Sequence, residues 1–148
     1  MSSVGSISDQ TLAGVITTAT HGSGLKFGVI STAVMSLTLL LADGSQQTCS
    51  KEVNKDLFLA TLCGLGATGL ILTVQLRVEP SFRLKEVNRN LGFWDVVMKL
   101  DEHVRKAEHV KLWWYPGTDI IRASYYDRTL EASLHTYSHV LLTTRFGG

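Results

Sequence analysis

The chain has 148 residues, 45% of them apolar and 18% charged, an ordinary globular composition with length enough for one cored domain or pieces of two. A net charge of +1 and a pI near 7.8 give no electrostatic basis for a nucleic-acid or polyanion partner. Two cysteines, Cys49 and Cys63, lie too far apart for a C-x-x-C pair, so free buried thiols are expected and no zinc site or disulfide.

The opening run Gly5-Ser6-Ile7-Ser8-Asp9-Gln10-Thr11-Leu12-Ala13-Gly14, with Thr17-Thr18-Ala19-Thr20-His21-Gly22-Ser23-Gly24 after it, holds four glycines, many small hydroxyls and one acid. By composition it is a surface loop, yet one whose amides and hydroxyls can approach a large anionic ligand closely. Val34 to Ala42 and Gln46 to Ser50 then read as two strands joined by the two-residue turn Asp43-Gly44. Asn54 and Asp56 are placed to cap and charge a short helix, Asp56 to Cys63, which Gly64 ends in the left-handed conformation. A strand follows from Leu70 to Val78.

Between helix and strand, Gly64-Leu65-Gly66-Ala67-Thr68-Gly69 spells G-x-G-x-x-G. A nicotinamide-binding fingerprint must follow a strand and open a helix, and the order here is reversed, so a helix-to-strand turn is the plainer reading. The uncharged stretch from Leu57 to Leu76 has about the 20 residues of a membrane span, but its glycines and threonines favour a broken helix and a strand. Charge then rises sharply: three charged side chains occupy the first fifty residues, whereas the segment from Arg83 to Glu108 is dense in both signs. The boundary between two element sets is therefore placed at Pro80-Ser81, with units 1–80 and 81–148.

From Phe93 the apolar positions Val96, Val97, Leu100, Val104 and Ala107 recur at helical spacing, which predicts one amphipathic helix with His103 on its solvated side and His109 there or at its end. His109 to Tyr115 and Ile120 to Tyr126 read as strands around the turn Pro116-Gly117-Thr118-Asp119. His135 and His139 share the i, i+4 spacing of a metal-binding helix but lack the H-E-x-x-H pattern and a third ligand, so no metal is expected. Strands with interspersed helices make the class α+β.

The opening run, the segment GLGATGLIL and Trp113-Trp114-Tyr115-Pro116 together resemble the sugar-1,4-lactone oxidases, flavoproteins of the vanillyl-alcohol oxidase class with a PCMH-type FAD-binding domain. The resemblance extends from about Val4 to Asp127 and is more specific in its first half. It implies that residues 1–80 are the second half of the FAD-binding domain, a mixed or antiparallel sheet with flanking helices. Residues 81–148 would then begin an incomplete substrate domain. It also implies FAD contacts from Ser6, Thr11, Gly14, Thr18, Ala19, Thr20, His21 and Ile71, the last through its main chain. No catalytic acid or base is matched.

The same resemblance implies oxidation of a sugar lactone such as D-arabinono-1,4-lactone, with O2 reduced to H2O2, and a mitochondrial, peripherally membrane-associated enzyme. The upstream flavin loop and the C-terminal HWAK-type motif of the family are missing, so the chain is expected to be an internal fragment, a truncated gene model or a degenerate copy, whose exposed strand edges and apolar surface would promote aggregation or require a complementary piece. Two other classes stand beside this reading: a nicotinamide-binding domain built on Gly64, Gly66 and Gly69, and a non-catalytic interaction fragment.

Overall fold

The computed structural model describes Gly5, Ile7 and residues 9–132. Ser6, His135 and His139 lie outside the described residues. Two three-stranded antiparallel sheets follow one another along the chain. The first contains β1 (Val34–Leu40), β2 (Gln46–Ser50) and β3 (Leu70–Leu76) in the order β2-β1-β3, with helices α1 (Leu12–Thr17) and α2 (Lys55–Thr61) against it. The second contains β4 (Arg83–Gly92), β5 (His109–Trp114) and β6 (Ile120–Thr129) in the order β4-β6-β5, with α3 (Phe93–Met98) and α4 (Leu100–Val104). The α+β class read from the sequence is the class observed.

Sequence period explains the first sheet. On β1, Leu37 and Leu39 face a buried cluster with Ile16, Val34, Cys49 and Phe58, while Ser36 and Thr38 face outward and bond Gln75 and Thr48 across the strands. The turn differs from the one predicted. Leu41 N–H donates to Ser45 C=O and Gly44 N–H to Leu41 C=O, so the bonded pair Leu41 and Ser45 closes a loop of three residues, and Gly44 takes φ +82°. Asp43 accepts from both the amide and the hydroxyl of Ser45, which holds its carboxyl below the ordinary range.

Helix α2 starts one residue before its predicted position, and Asn54 does not cap it. The Asn54 backbone is left-handed (φ 47°) and its side-chain amide donates to Thr48 C=O at 2.9 Å, tying the helix entry to β2 instead. Gly64 is not the left-handed terminator; Cys63 (φ 62°), Leu65 (φ 54°) and Gly66 (φ +77°) are. Gly64 is required by proximity, since a Cβ there would stand 2.1 Å from the Ala60 carbonyl oxygen.

The predicted amphipathic helix is two short ones. Lys99, at φ −123° and ψ 30°, ends α3 and begins α4. His103 is buried on α4 rather than solvated, because its Nδ1 meets the Tyr125 hydroxyl at 2.7 Å. His109 is likewise buried, at the start of β5. Strand β4 has no counterpart among the predicted elements, yet it pairs with β6 over ten residues, from Arg83↔Thr129 to Gly92↔Ile120.

The two sheets are clasped by the loop after α1. Val110 N–H donates to Ser23 C=O at 3.1 Å, and Phe27 stacks on His109. Arg128 of β6 donates to both carboxylate oxygens of Glu79 and to Glu108, over the ring of Phe82. Many large apolar side chains stay exposed, among them Leu70, Trp94 and Met98.

Candidate functional site

The glycine-, serine- and threonine-rich opening is not ribbon throughout. Thr11 accepts from Gly14 N–H at 3.2 Å as an N-cap, and the apolar pair Val15 and Ile16 turns inward, so six residues form α1. The helix is stopped where Thr18 bends away, its hydroxyl donating to Gly14 C=O at 2.8 Å. Ala19 then adopts φ 54°, and Thr20 is held by Val15 C=O on one side and Ile30 N–H on the other.

This path borders an open surface hollow of about 190 Å³ lined by Gln10, Thr11, Gly14, Val15, Thr18 and Thr20. Its chemistry is neutral, small and hydroxyl-rich. Thr18 spends its proton on Gly14 C=O, so in the 3.1 Å contact between Thr18 and Thr20 the Thr20 hydroxyl is the donor. Thr11 accepts within the cap and retains its own proton, which makes it the hydroxyl free to donate to a ligand. Gly14 keeps the wall open, because a Cβ there would come within 2.8 Å of Thr11 Oγ1.

The cavity thus gathers four of the eight residues matched to the family motif: Thr11, Gly14, Thr18 and Thr20. It also includes Gln10 and Val15, which the motif did not single out; their signal was position on the same helix entry and first turn. His21 is exposed, does not line the cavity, and donates from Nδ1 to Gly22 C=O at 2.8 Å, a histidine bonded to its own loop. Ile71 lies elsewhere as well: on β3, an edge strand among those described, it pairs with Leu39 of β1, and its side chain packs on the core.

The G-x-G-x-x-G segment supports this cavity without lining it. Cys63 N–H donates to Ile16 C=O at 3.1 Å and Leu65 N–H to Thr17 C=O at 3.0 Å, so the turn satisfies the open carbonyls at the end of α1. A helix precedes the segment and β3 begins at Leu70 directly after it, the reverse of a nicotinamide fingerprint. That alternative is set aside. Cys63 is exposed, not buried, and its Sγ lies 3.3 Å from Ser31 Oγ. Trp113 and Trp114 end β5, as the strand read over His109 to Tyr115 implies, and both are half exposed.

No described helix is long and apolar enough to cross a membrane. Among the described residues no group of three or more histidines, cysteines or acids is arranged to hold a metal ion.

Comparison with known proteins agrees with this architecture. The chain is 39% identical over 129 residues to an L-gulonolactone oxidase from Mus musculus, covering 87% of the chain and 29% of that relative. It is 37% identical over 116 residues to the D-arabinono-1,4-lactone oxidase of Yarrowia lipolytica, covering 78% of the chain and 22% of the relative. The chain therefore spans less than a third of the length of these relatives. A solvent-stable cholesterol oxidase shares the fold, with a TM-score of 0.76 at 21% identity, over 88% of this chain and 28% of that one. The model of the D-arabinono-1,4-lactone oxidase family matches residues 74–147, half of the sequence, and the chain belongs to that family.

Proposed function

We propose that this chain carries part of the flavin-binding domain, and the first strands of the substrate domain, of an FAD-dependent aldonolactone oxidase. The observation that carries the reading is the hydroxyl-lined cavity at Thr11, Gly14, Thr18 and Thr20, in a chain 39% identical to an L-gulonolactone oxidase. Its volume admits one section of a dinucleotide, and its neutral donors and acceptors suit a polar, oxygen-rich section. FAD, when bound, would accept a hydride from the sugar 1,4-lactone and pass the electrons to O2, giving H2O2. The protein's part is to hold the cofactor. Thr11 would donate a hydrogen bond, Thr18 and Thr20 would accept, and Gly14 would leave room.

Titration of the purified chain with FAD, followed by flavin fluorescence, tests the proposal. Saturable quenching is expected, with about tenfold weaker binding in Thr20→Leu, whose larger apolar side chain intrudes on the cavity and removes one polar partner. Absence of quenching by the folded chain would reject the role. The exposed Leu70, Trp94 and Met98 favour a further element, a complementary portion of the oxidase fold covering these faces. Peripheral attachment at the mitochondrial membrane belongs to the same proposal, on the strength of the family resemblance, and subcellular fractionation tests it.

A further inference from the structure

Strand register divides the second sheet into two unlike faces. One carries Leu91, Ile121 and Trp114, then Arg89, Ala123 and Leu112, then Val87, Tyr125 and Val110, and it is this face, apolar but for Arg89, Tyr125 and the indole N–H, that meets Phe93 and His103 of the helices. The other is polar or aromatic at every position in three successive rows across β4, β6 and β5. These rows are Asn90–Arg122–Trp113, Asn88–Ser124–Lys111 and Glu86–Tyr126–His109.

The rows are knitted together. Ser124 donates to Asn88 Oδ1 at 2.5 Å, Tyr126 donates to Glu86 at 2.9 Å, and Lys111 sits 5.7 Å from the Tyr126 ring centre. His109, in the third row, is the residue on which Phe27 stacks, so the polar face begins where the loop after α1 docks. Beside the first two rows opens a cavity of about 300 Å³ lined by Asn88, Arg89, Asn90 and Arg122.

Two features set this cavity apart from ordinary solvated sheet. Arg128, four strand positions beyond Ser124, is matched by two carboxylates, but among the described residues none lies within ion-pair distance of Arg122, the cation of these rows; Arg89 borders the cavity from β4 but belongs by register to the other face. Asn88 Oδ1 is occupied by Ser124, which leaves the Asn88 amide N–H groups to donate outward. The cavity is consequently rich in donors, and Trp113, outside its lining but half exposed and directly opposite Arg122 on β5, is the flat apolar side chain next along that row.

We infer that this face binds a polyhydroxylated ring. Arg122 and the Asn88 and Asn90 amides hydrogen-bond its oxygens, and the apolar C–H side of the ring rests on Trp113. The inference deepens the proposed function: it rests on that reading for the class of ligand, a sugar lactone, and names the residues that recognise it. Arg122 and Trp113 are assigned to substrate binding, with no part in the redox step.

Two-dimensional NMR of the 148-residue chain tests this, with L-gulono-1,4-lactone, its ring-opened anion L-gulonate, and inorganic phosphate titrated separately. Saturable shifts at the Asn88 and Asn90 side-chain amides and the Trp113 indole are expected with the lactone. They are expected to weaken by about tenfold in Arg122→Gln and in Trp113→Ala, each judged folded by its dispersed spectrum. If phosphate and gulonate shift these signals and the lactone does not, the face is an anion site and the inference fails. If none does, it fails too. An FAD titration of the same samples separates the two claims: quenching without lactone shifts defeats this inference alone, whereas lactone shifts without quenching defeat the flavin role alone.

Discussion

Phe27 and His109 lie nearly parallel, ring centres 5.1 Å apart and planes 12° from each other, although one belongs to the loop after α1 and the other opens β5. With the Val110 N–H bond to Ser23, this stack joins the segment that forms the threonine-lined cavity to the second sheet. Phe27→Ala is expected to cost about 2 kcal/mol, from lost burial of a half-covered ring plus the stacking contribution. Thermal denaturation measures it. A loss below about 0.5 kcal/mol would mean that the clasp adds little to the fold.

Two neighbouring glycines make opposite demands on a methyl group. Gly64 has normal φ but no space, its Cβ position standing 2.1 Å from Ala60 oxygen, whereas Gly66 has open space and φ +77°. Gly64→Ala should force the end of α2 to shift and cost about 3 kcal/mol or more, while Gly66→Ala should cost about 1 kcal/mol of left-handed strain. Urea unfolding of the two variants ranks them, and the reverse ranking would contradict the described turn.

The buried imidazole of His103 sets a pH dependence. Burial first, then the charge of Lys106, hold its pKa below the ordinary 6.5, with Glu102 opposing. Tyr125 O–H and Lys106 Nζ both point donors at Nδ1, which makes the neutral Nε2–H form the one that fits. Because the folded value lies below the unfolded one, the unfolded chain binds the proton first as pH falls. This contribution is present in full above the unfolded pKa and is lost as pH drops through about 6.5 toward the folded value. The Tm should fall over that window, and His103→Asn should flatten the slope there. An unchanged slope in the variant would assign the effect to other groups.

The cysteines are expected to differ in reactivity. Cys49 is fully buried and its thiol is pushed up by desolvation, while Cys63 is exposed. A maleimide reagent should label one thiol in the native protein and two in denaturant, with peptide mapping placing the first label on Cys63.

Legibility in the sequence followed how one-sided each element is. The β1–β2 hairpin, β3, β5 and β6 were readable because β-branched and aromatic runs end at Asp43-Gly44, Pro80 and Pro116-Gly117. Strand β4 was hidden, since all but one of its ten residues are exposed and no buried face imposes alternation on Arg83–Gly92. The helical period from Phe93 was real, but Lys99 breaks it, and the burial of His103 comes with Tyr125, a partner 22 residues away. Helix α1 was masked by its hydroxyls and Gly14; Thr11 ahead of Leu12, Val15 and Ile16 was the cap signal. The cavity residues Thr11, Gly14, Thr18 and Thr20 came from motif resemblance, because nothing in residue spacing says that Thr18 and Thr20 turn back on Gly14.

Among the described strands of the second sheet the central one, β6, is also the last in chain order, and β4 and β5 both pair with it. During synthesis on the ribosome neither of the earlier strands can form this ladder until Ile120–Thr129 has emerged, whereas β1 can zip to β2 within a few residues of its own appearance. The nascent chain therefore passes through a period with the first sheet assembled and β4 unpaired, when chaperone protection of Arg83–Gly92 would matter most.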